Sequence, residues 1–316
     1  MARFRASMNR RNFLLGSAAL LTACGKSSQK IRLALNWKPE PEFGPFYAAP
    51  YRKYGLDVEI LPGGAGTPTI QMVGAGSAEF GIVSADELVV ARSRGNDVAA
   101  LFAVFQNNPQ GIMVHASRKL TSIGDIFRHP GTVAMQRGLS YARLLEKMYG
   151  FDKVKIVPSP NGDVSAFLHD KNFAQQCFIT SEPLIANRQG ADVQVFPISD
   201  IGFNPYTDVM ATSGELLRSK PEMVKPMVAA VREGLRIYLD DPKPTNVHMQ
   251  QLNPTMPLDL FTETSEVQKP LIETEETRRD GLGVMTKERW ETLIKQLKDL
   301  GDVEKAPAAE ECFRSL

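Results

Sequence analysis

Short apolar strands alternate with helical stretches along most of this chain, and that alternation constrains its fold more than any other feature. Residues 31–35, 80–83 and 98–105 are apolar runs, and residues 56–60 alternate with period two. Between them lie residues 42–54, closed by Gly55, and a segment entered through Gly63-Gly64-Ala65-Gly66-Thr67 that carries Ile70 and Val73. A further stretch, 86–94, is closed by Gly95. Glycine just past a helical run accepts the left-handed backbone that ends a helix. The order β-α-β-α-β predicts a mostly parallel sheet flanked by helices.

A second unit begins near Leu120. Strands are expected at 132–135, 154–157, 176–180 and 193–196, with helices at 139–149, from 162 to 168, and through 182–186. A strand at 209–212 then leads to a long helix. Its apolar stripe is Val224, Met227, Val228, Val231, Leu235 and Tyr238, and Trp290, Leu293, Ile294, Leu297 and Leu300 form another; both read as core packing. Ser219 and Glu222 have the spacing of a capping box, and Pro226 predicts a bend. Residues 240–279 are Pro-rich and weakly periodic, so a short helix and loops are expected; the tail after Asp302 is expected to fray.

The chain opens differently. Arg10-Arg11 precedes an apolar run at 13–23, interrupted by Gly16, Ser17 and Thr22. Eleven residues fall short of the roughly 20 that a membrane-spanning helix needs. A basic stretch, a short apolar core and small residues describe an export leader. Arg10-Arg11-Asn12-Phe13-Leu14 resembles the twin-arginine address, and Ala23-Cys24 after an apolar run resembles a lipoprotein processing site. Residues 1–24 are therefore read as a lipoprotein leader and Cys24 as the lipidated residue. Residues 25–30 would be a tether to the membrane. The mature chain is expected outside the cytoplasm, periplasmic or on the outer face of the cytoplasmic membrane.

The remaining length suits two lobes better than one core. A net charge of +1 gives no electrostatic case for nucleic acid. The four histidines are scattered without metal-ligand spacing, and no metal or cofactor is expected. Cys177 sits in an apolar run and reads as a buried free thiol, with a pairing to Cys312 left open.

Leu35-Asn36-Trp37-Lys38-Pro39-Glu40-Pro41-Glu42-Phe43-Gly44-Pro45-Phe46-Tyr47 resembles the opening of periplasmic solute-binding proteins for thiamine pyrimidine precursors such as formylaminopyrimidine. Residues 55–60 and 74–81 share the likeness, as do Phe178-Ile179-Thr180-Ser181-Glu182-Pro183-Leu184 and Arg188-Gln189-Gly190. The superfamily also holds alkanesulfonate, nitrate, taurine and riboflavin binders and a pyrimidine synthase. The resemblance implies a type II periplasmic-binding-protein-like α/β fold with two lobes joined by two hinge crossovers, expected near 115–120 and 198–206. Lobe one would be 31–115 plus 207–316, and lobe two 116–206. It implies an ABC importer permease as partner and a small solute as ligand, rather than an enzyme.

Open α/β sheets bind ligands at the carboxyl ends of their strands. Trp37 and Asn36 follow the first strand, and an indole face there suits a flat heterocycle. Phe46 and Tyr47 open the next helix; one is expected to face the cleft. Gly64 belongs to a glycine cluster that reads equally as a helix entrance for anions or as a tight turn. Ser84 and Asp86 follow the third strand, and Asp86 reads as ligand acceptor or cap. Gln136 and Ser140 face them from lobe two. Glu182 is placed to accept from an amine-bearing ring such as an aminopyrimidine.

Overall fold

The computed structural model describes residues 30–316, so the leader, Cys24 and tether residues 25–29 lie outside the described residues. Ten strands are assigned: β1 (Ile31–Ala34), β2 (Val58–Leu61), β3 (Phe80–Val83), β4 (Val98–Phe105), β5 (Gln110–His115), β6 (Gly131–Ala134), β7 (Val154–Val157), β8 (Phe173–Phe178), β9 (Val193–Pro197) and β10 (Thr207–Ser213). They form two five-stranded sheets, ordered β2-β1-β3-β10-β4 and β7-β6-β8-β5-β9.

The two sheets follow one plan. β1 pairs in parallel with β2 and β3, while β10 runs antiparallel to β3 and β4. In the second sheet β6 pairs in parallel with β7 and β8, and β5 runs antiparallel to β8 and β9. Each sheet thus has four strands in one direction and a single reversed strand, which has just crossed from the other lobe. Helices cover both faces, as buried parallel sheets require. This is the two-lobed periplasmic-binding-protein fold.

One boundary moves. Residues 110–115 form a strand that sequence patterning passed over, and β5 pairs entirely within the second sheet. The first crossover is therefore 106–109 rather than 115–120, and lobe one ends at β4. Gly111 is closely packed there, since an added Cβ would meet Ile179 at 2.9 Å and the Phe196 carbonyl at 3.1 Å. The chain returns through 198–206. Asn108 N–H donates to Asn204 Oδ1 at 2.7 Å, and Asn204 Nδ2 donates to Asn107 Oδ1 at 3.2 Å. Arg289 donates to the Asn204 carbonyl at 2.8 Å and to that of Gln106. The crossovers are stitched into one hinge.

The C-terminal third also differs from expectation. Most prolines of 240–279 start helices instead of breaking them: Pro244 and Pro270 sit in first turns of Lys243–Leu252 and Lys269–Ile272, and Pro257 precedes Leu258–Val267. A first-turn proline gives up an N–H that has no intrahelical partner anyway. Helix Pro221–Asp240 likewise starts on a proline, and Ser219 does not cap it. The tail does not fray. Phe313 bridges to Ala100 and stacks on Trp290 at 5.9 Å, and Cys312 is fully buried. Cys177 and Cys312 are both free thiols. Among the described residues no helix is long and apolar enough to cross a membrane.

Candidate functional site

A cavity of about 250 Å³ lies between the lobes. Its lining follows from the sheet plan: an edge that shows the carboxyl ends of four strands shows the amino end of the reversed fifth. Lobe one contributes Asn36 and Trp37 beyond β1, Ser84 and Glu87 beyond β3, and Thr207 and Asp208 at the start of β10. Lobe two contributes Gln136 and Tyr141 beyond β6, Asn161 beyond β7, Gln176 to Phe178 and Glu182 around the end of β8, and Gln110 at the start of β5. Glu40, Glu42 and Phe43 enter from the proline-rich loop after Trp37.

The side chains are held in place. Trp37 Nε1 donates to Glu40 Oε1 at 3.2 Å, and Lys38 Nζ lies 5.3 Å from the indole centroid. Gln176 Oε1 accepts from the Gln136 backbone N–H at 2.6 Å and from the Tyr141 hydroxyl at 3.1 Å. Glu182 Oε2 accepts from the Phe178 N–H at 2.8 Å. Asp208 is 2% exposed and has a left-handed backbone, φ 50°, a conformation that Asp and Asn tolerate better than most residues. Its Oδ2 and Asn36 Oδ1 are buried without a hydrogen-bond partner among the described residues.

Five carboxyls therefore face one cavity: Glu40, Glu42, Glu87, Glu182 and Asp208, and no Lys, Arg or His among the described residues lines it. Burial is the leading cause of their altered acidity, because low-dielectric surroundings disfavour the charged form. It pushes Glu182 up to about 7, against the weaker pull of its backbone hydrogen bonds. It pushes Glu87 up to about 7, helped by Asp86, and Asp208 up to about 8. Glu42 is raised well above the carboxylate range by burial and then by the charges of Glu40 and Asp208. Glu40 is raised too, with Lys38 opposing. Burial also raises the Cys177 thiol, so it does not stand as a reactive thiolate.

The cavity brings together Asn36, Trp37, Ser84, Gln136 and Glu182. The other expected residues lie elsewhere. Phe46 is fully buried in the core of lobe one, and Phe43, three residues earlier, takes the cavity face. Tyr47 packs edge-on against His248 at 5.7 Å. The Gly64 N–H is committed to Thr67 Oγ1 at 2.8 Å, which fits the tight-turn reading of that cluster. Its neighbour Gly63 must be glycine, since a Cβ would lie 2.1 Å from the Leu35 carbonyl oxygen. Asp86 stands in the first turn of helix Ala85–Ser93 outside the cavity, and the next residue, Glu87, lines it. Ser140 is buried at the start of helix Ser140–Tyr149. Glu40, Glu42 and Asp208 escaped sequence reasoning: two sit in a loop without periodicity, and the third begins a strand whose reversal is set only by its antiparallel pairing.

Comparison with known proteins agrees with this architecture. The NMT1/THI5 like family model matches residues 40–245, more than half of the chain. The riboflavin-binding protein RibY of Chloroflexus aurantiacus is 25% identical over 281 residues, covering 83% of this chain and 78% of the relative. A formylaminopyrimidine-binding protein of Halalkalibacterium halodurans is 22% identical over 308 residues, covering 91% and 90%. The aliphatic sulphonate binding protein SsuA of Escherichia coli superposes with a TM-score of 0.68 at 14% identity, covering 92% of this chain and 94% of that one. The chain belongs to the NMT1/THI5 like family.

Proposed function

We propose that this member of the NMT1/THI5 like family is the solute-binding component of an ABC importer, and that its ligand is a small planar nitrogen base held as a cation, of the aminopyrimidine class. One observation carries the reading: five carboxyls and the Trp37 indole share an interlobe cavity with no basic residue in its lining. An aromatic face and carboxylate acceptors suit a flat ring bearing amino groups. A sulfonate such as taurine, or nitrate, would meet five acids with no basic side chain in the lining, at a heavy desolvation cost.

A flavin is the second reading, favoured by the likeness to RibY. Its three fused rings and sugar-alcohol chain need more room than one ring does, and the cavity of about 250 Å³ lies below the usual range of roughly 300–1,000 Å³ for larger ligands. The test is a thermal-shift panel of an aminopyrimidine, riboflavin, taurine, an alkanesulfonate and nitrate. A ligand at 100 times its dissociation constant adds about 2.7 kcal/mol. The aminopyrimidine alone is expected to raise the melting point. Stabilisation by the anions alone would refute the base reading, and stabilisation by riboflavin alone would establish the flavin one.

The reading includes reversible binding without turnover, so bound ligand is expected back unchanged by mass spectrometry. It also includes export and diacylation at Cys24, supported by Leu21-Thr22-Ala23-Cys24. Metabolic labelling with palmitate should mark the wild-type chain and leave Cys24→Ser unlabelled.

A further inference from the structure

Lobe two also meets lobe one through a short helix whose far end the binding reading leaves unused. Helix Glu182–Arg188 begins at Glu182 in the cavity wall and ends at Arg188. The Arg188 guanidinium donates to Asp259 Oδ2 at 2.6 Å and, through Nε and Nη2, to Glu263 Oε2 at 2.9 and 2.7 Å. Both acids stand on helix Leu258–Val267, which is fastened to lobe one. Asn253 Nδ2 donates to the Pro39 carbonyl at 3.1 Å, and Gln268 Nε2 to that of Pro41 at 3.1 Å. Those carbonyls flank Glu40 in the loop that lines the cavity. Leu184 and Ile185 of the short helix pack against the cluster of Met256, Leu260 and Phe261. The contact is thus apolar at its centre and charged at its margin.

The hinge-side ties are of another kind. Arg143 to Asp302, at 2.6 Å, and Lys147 to the Asp299 carbonyl, at 2.6 Å, join lobe two to helix Lys287–Leu300 and the turn that follows it. That helix packs on both lobes, and its Arg289 holds the crossovers together. These ties run to a helix that packs on both lobes and also carries the crossovers, whereas the Arg188 contact joins the two lobes directly, so that parting them there breaks it.

We propose that Arg188, Asp259 and Glu263 form a latch that sets the closed population of the protein, and that Arg188 is the positioning residue for Glu182. The helix is seven residues long, and at 1.5 Å per residue its ends stay about 10 Å apart as one rigid piece. Seating Arg188 on its two acids and presenting Glu182 to the cavity are therefore one movement. By linkage, solute that engages Glu182 favours the latch, and the latch favours solute to the same degree. Exposed ion pairs are individually weak and screened by salt, which suits a contact that must open in every cycle.

The role of Glu182 rests on the solute-binding reading, but the test needs no solute. Spin labels are placed at Ala65→Cys and Arg137→Cys, exposed positions beyond β2 and β6, in the full chain carrying Cys24→Ser; Cys177 and Cys312 are buried and escape labelling. Pulsed electron–electron distance measurements at low salt give the ratio of short to long interlobe distances. Arg188→Ala is expected to lower that ratio about fivefold, and about 1 M salt should lower it in the wild type, since screening lengths there fall to roughly 3 Å. The reversed set Arg188→Glu, Asp259→Lys and Glu263→Lys is expected to restore the ratio that Arg188→Glu alone loses. An unchanged distribution in Arg188→Ala overturns the proposal, as does a reversed set that stays as open as Arg188→Glu. Either failure leaves the ligand panel unaffected, so the two readings fall separately.

Discussion

Replacing Asp208 by Asn separates the two roles of the carboxyl cavity, because stability and binding should move in opposite directions. Asp208 is buried, has an unpartnered oxygen, and its acidity is shifted from 3.8 to about 8 by burial. Each pKa unit corresponds to about 1.4 kcal/mol. A shift of that size sets an upper bound of roughly 5–6 kcal/mol, and because Glu42 shares the same field we expect about 3 kcal/mol. The folded-state pKa is raised, so the unfolded chain loses this proton first as pH climbs. The contribution of this group to stability falls between about pH 4 and about pH 8 and is flat outside that window. Asn cannot ionise, and it tolerates the left-handed backbone as well as Asp does, so the variant escapes this loss without new strain. Urea denaturation of both proteins at pH 4 and pH 8, followed by circular dichroism, checks the claim. The midpoints should coincide at pH 4. At pH 8 the variant should unfold about 1 M higher, given a slope of roughly 3 kcal/mol per M. The same variant should bind the base more weakly at pH 8. A variant that is less stable than wild type at pH 8, or shifted equally at both values, would falsify the electrostatic argument.

Other expectations follow from the same geometry. Glu182→Gln keeps an acceptor for the Phe178 N–H while removing the charge; calorimetry at pH 8 should show affinity for an aminopyrimidine reduced by about tenfold or more, consistent with about 1.5–3 kcal/mol for a hydrogen bond to a charged group. Trp37→Ala should weaken that ligand by a similar factor while shifting the urea midpoint little, since the indole is only half-buried; equal affinity would remove the stacking role. Gly63→Ala should destabilise by about 1–3 kcal/mol, because its Cβ would be driven into the Leu35 carbonyl and the loop bearing Trp37 must shift. Deleting residues 309–316 should strip cover from Trp290 and the Ala100 edge and lower the midpoint in denaturant, whereas a fraying tail would leave it unchanged.

Much of the fold was legible because it is written in local pattern. Phe80–Val83, Val98–Phe105 and Val154–Val157 are apolar or alternating runs bounded by turn residues, and the backbone follows them. β5 was passed over because Gly111-Ile112-Met113-Val114 follows an eight-residue strand after a very short crossover, so the two merge in a sequence scan. Nothing local marks where one sheet stops and the other begins. The site was legible wherever a residue lies within a few positions of a strand's carboxyl end, as Trp37, Ser84, Gln136 and Glu182 do. It was obscured where two neighbours compete for one direction: Phe43 against Phe46, or Glu87 against Asp86. Helical phase decides those cases, and both pairs lie at helix starts, where phase is poorly fixed by sequence. Asp208 depended on knowing that β10 runs against its neighbours, a tertiary fact.

On the proposed reading the cleft selects a cationic ring by its carboxyls. Calorimetric titration of the mature chain at pH 8, with an aminopyrimidine in one cell and an alkanesulfonate of matched size in another, tests it most directly. Saturable one-to-one binding of the base is expected, with no heat of binding from the sulfonate. Saturable binding of the sulfonate with none from the base would contradict it.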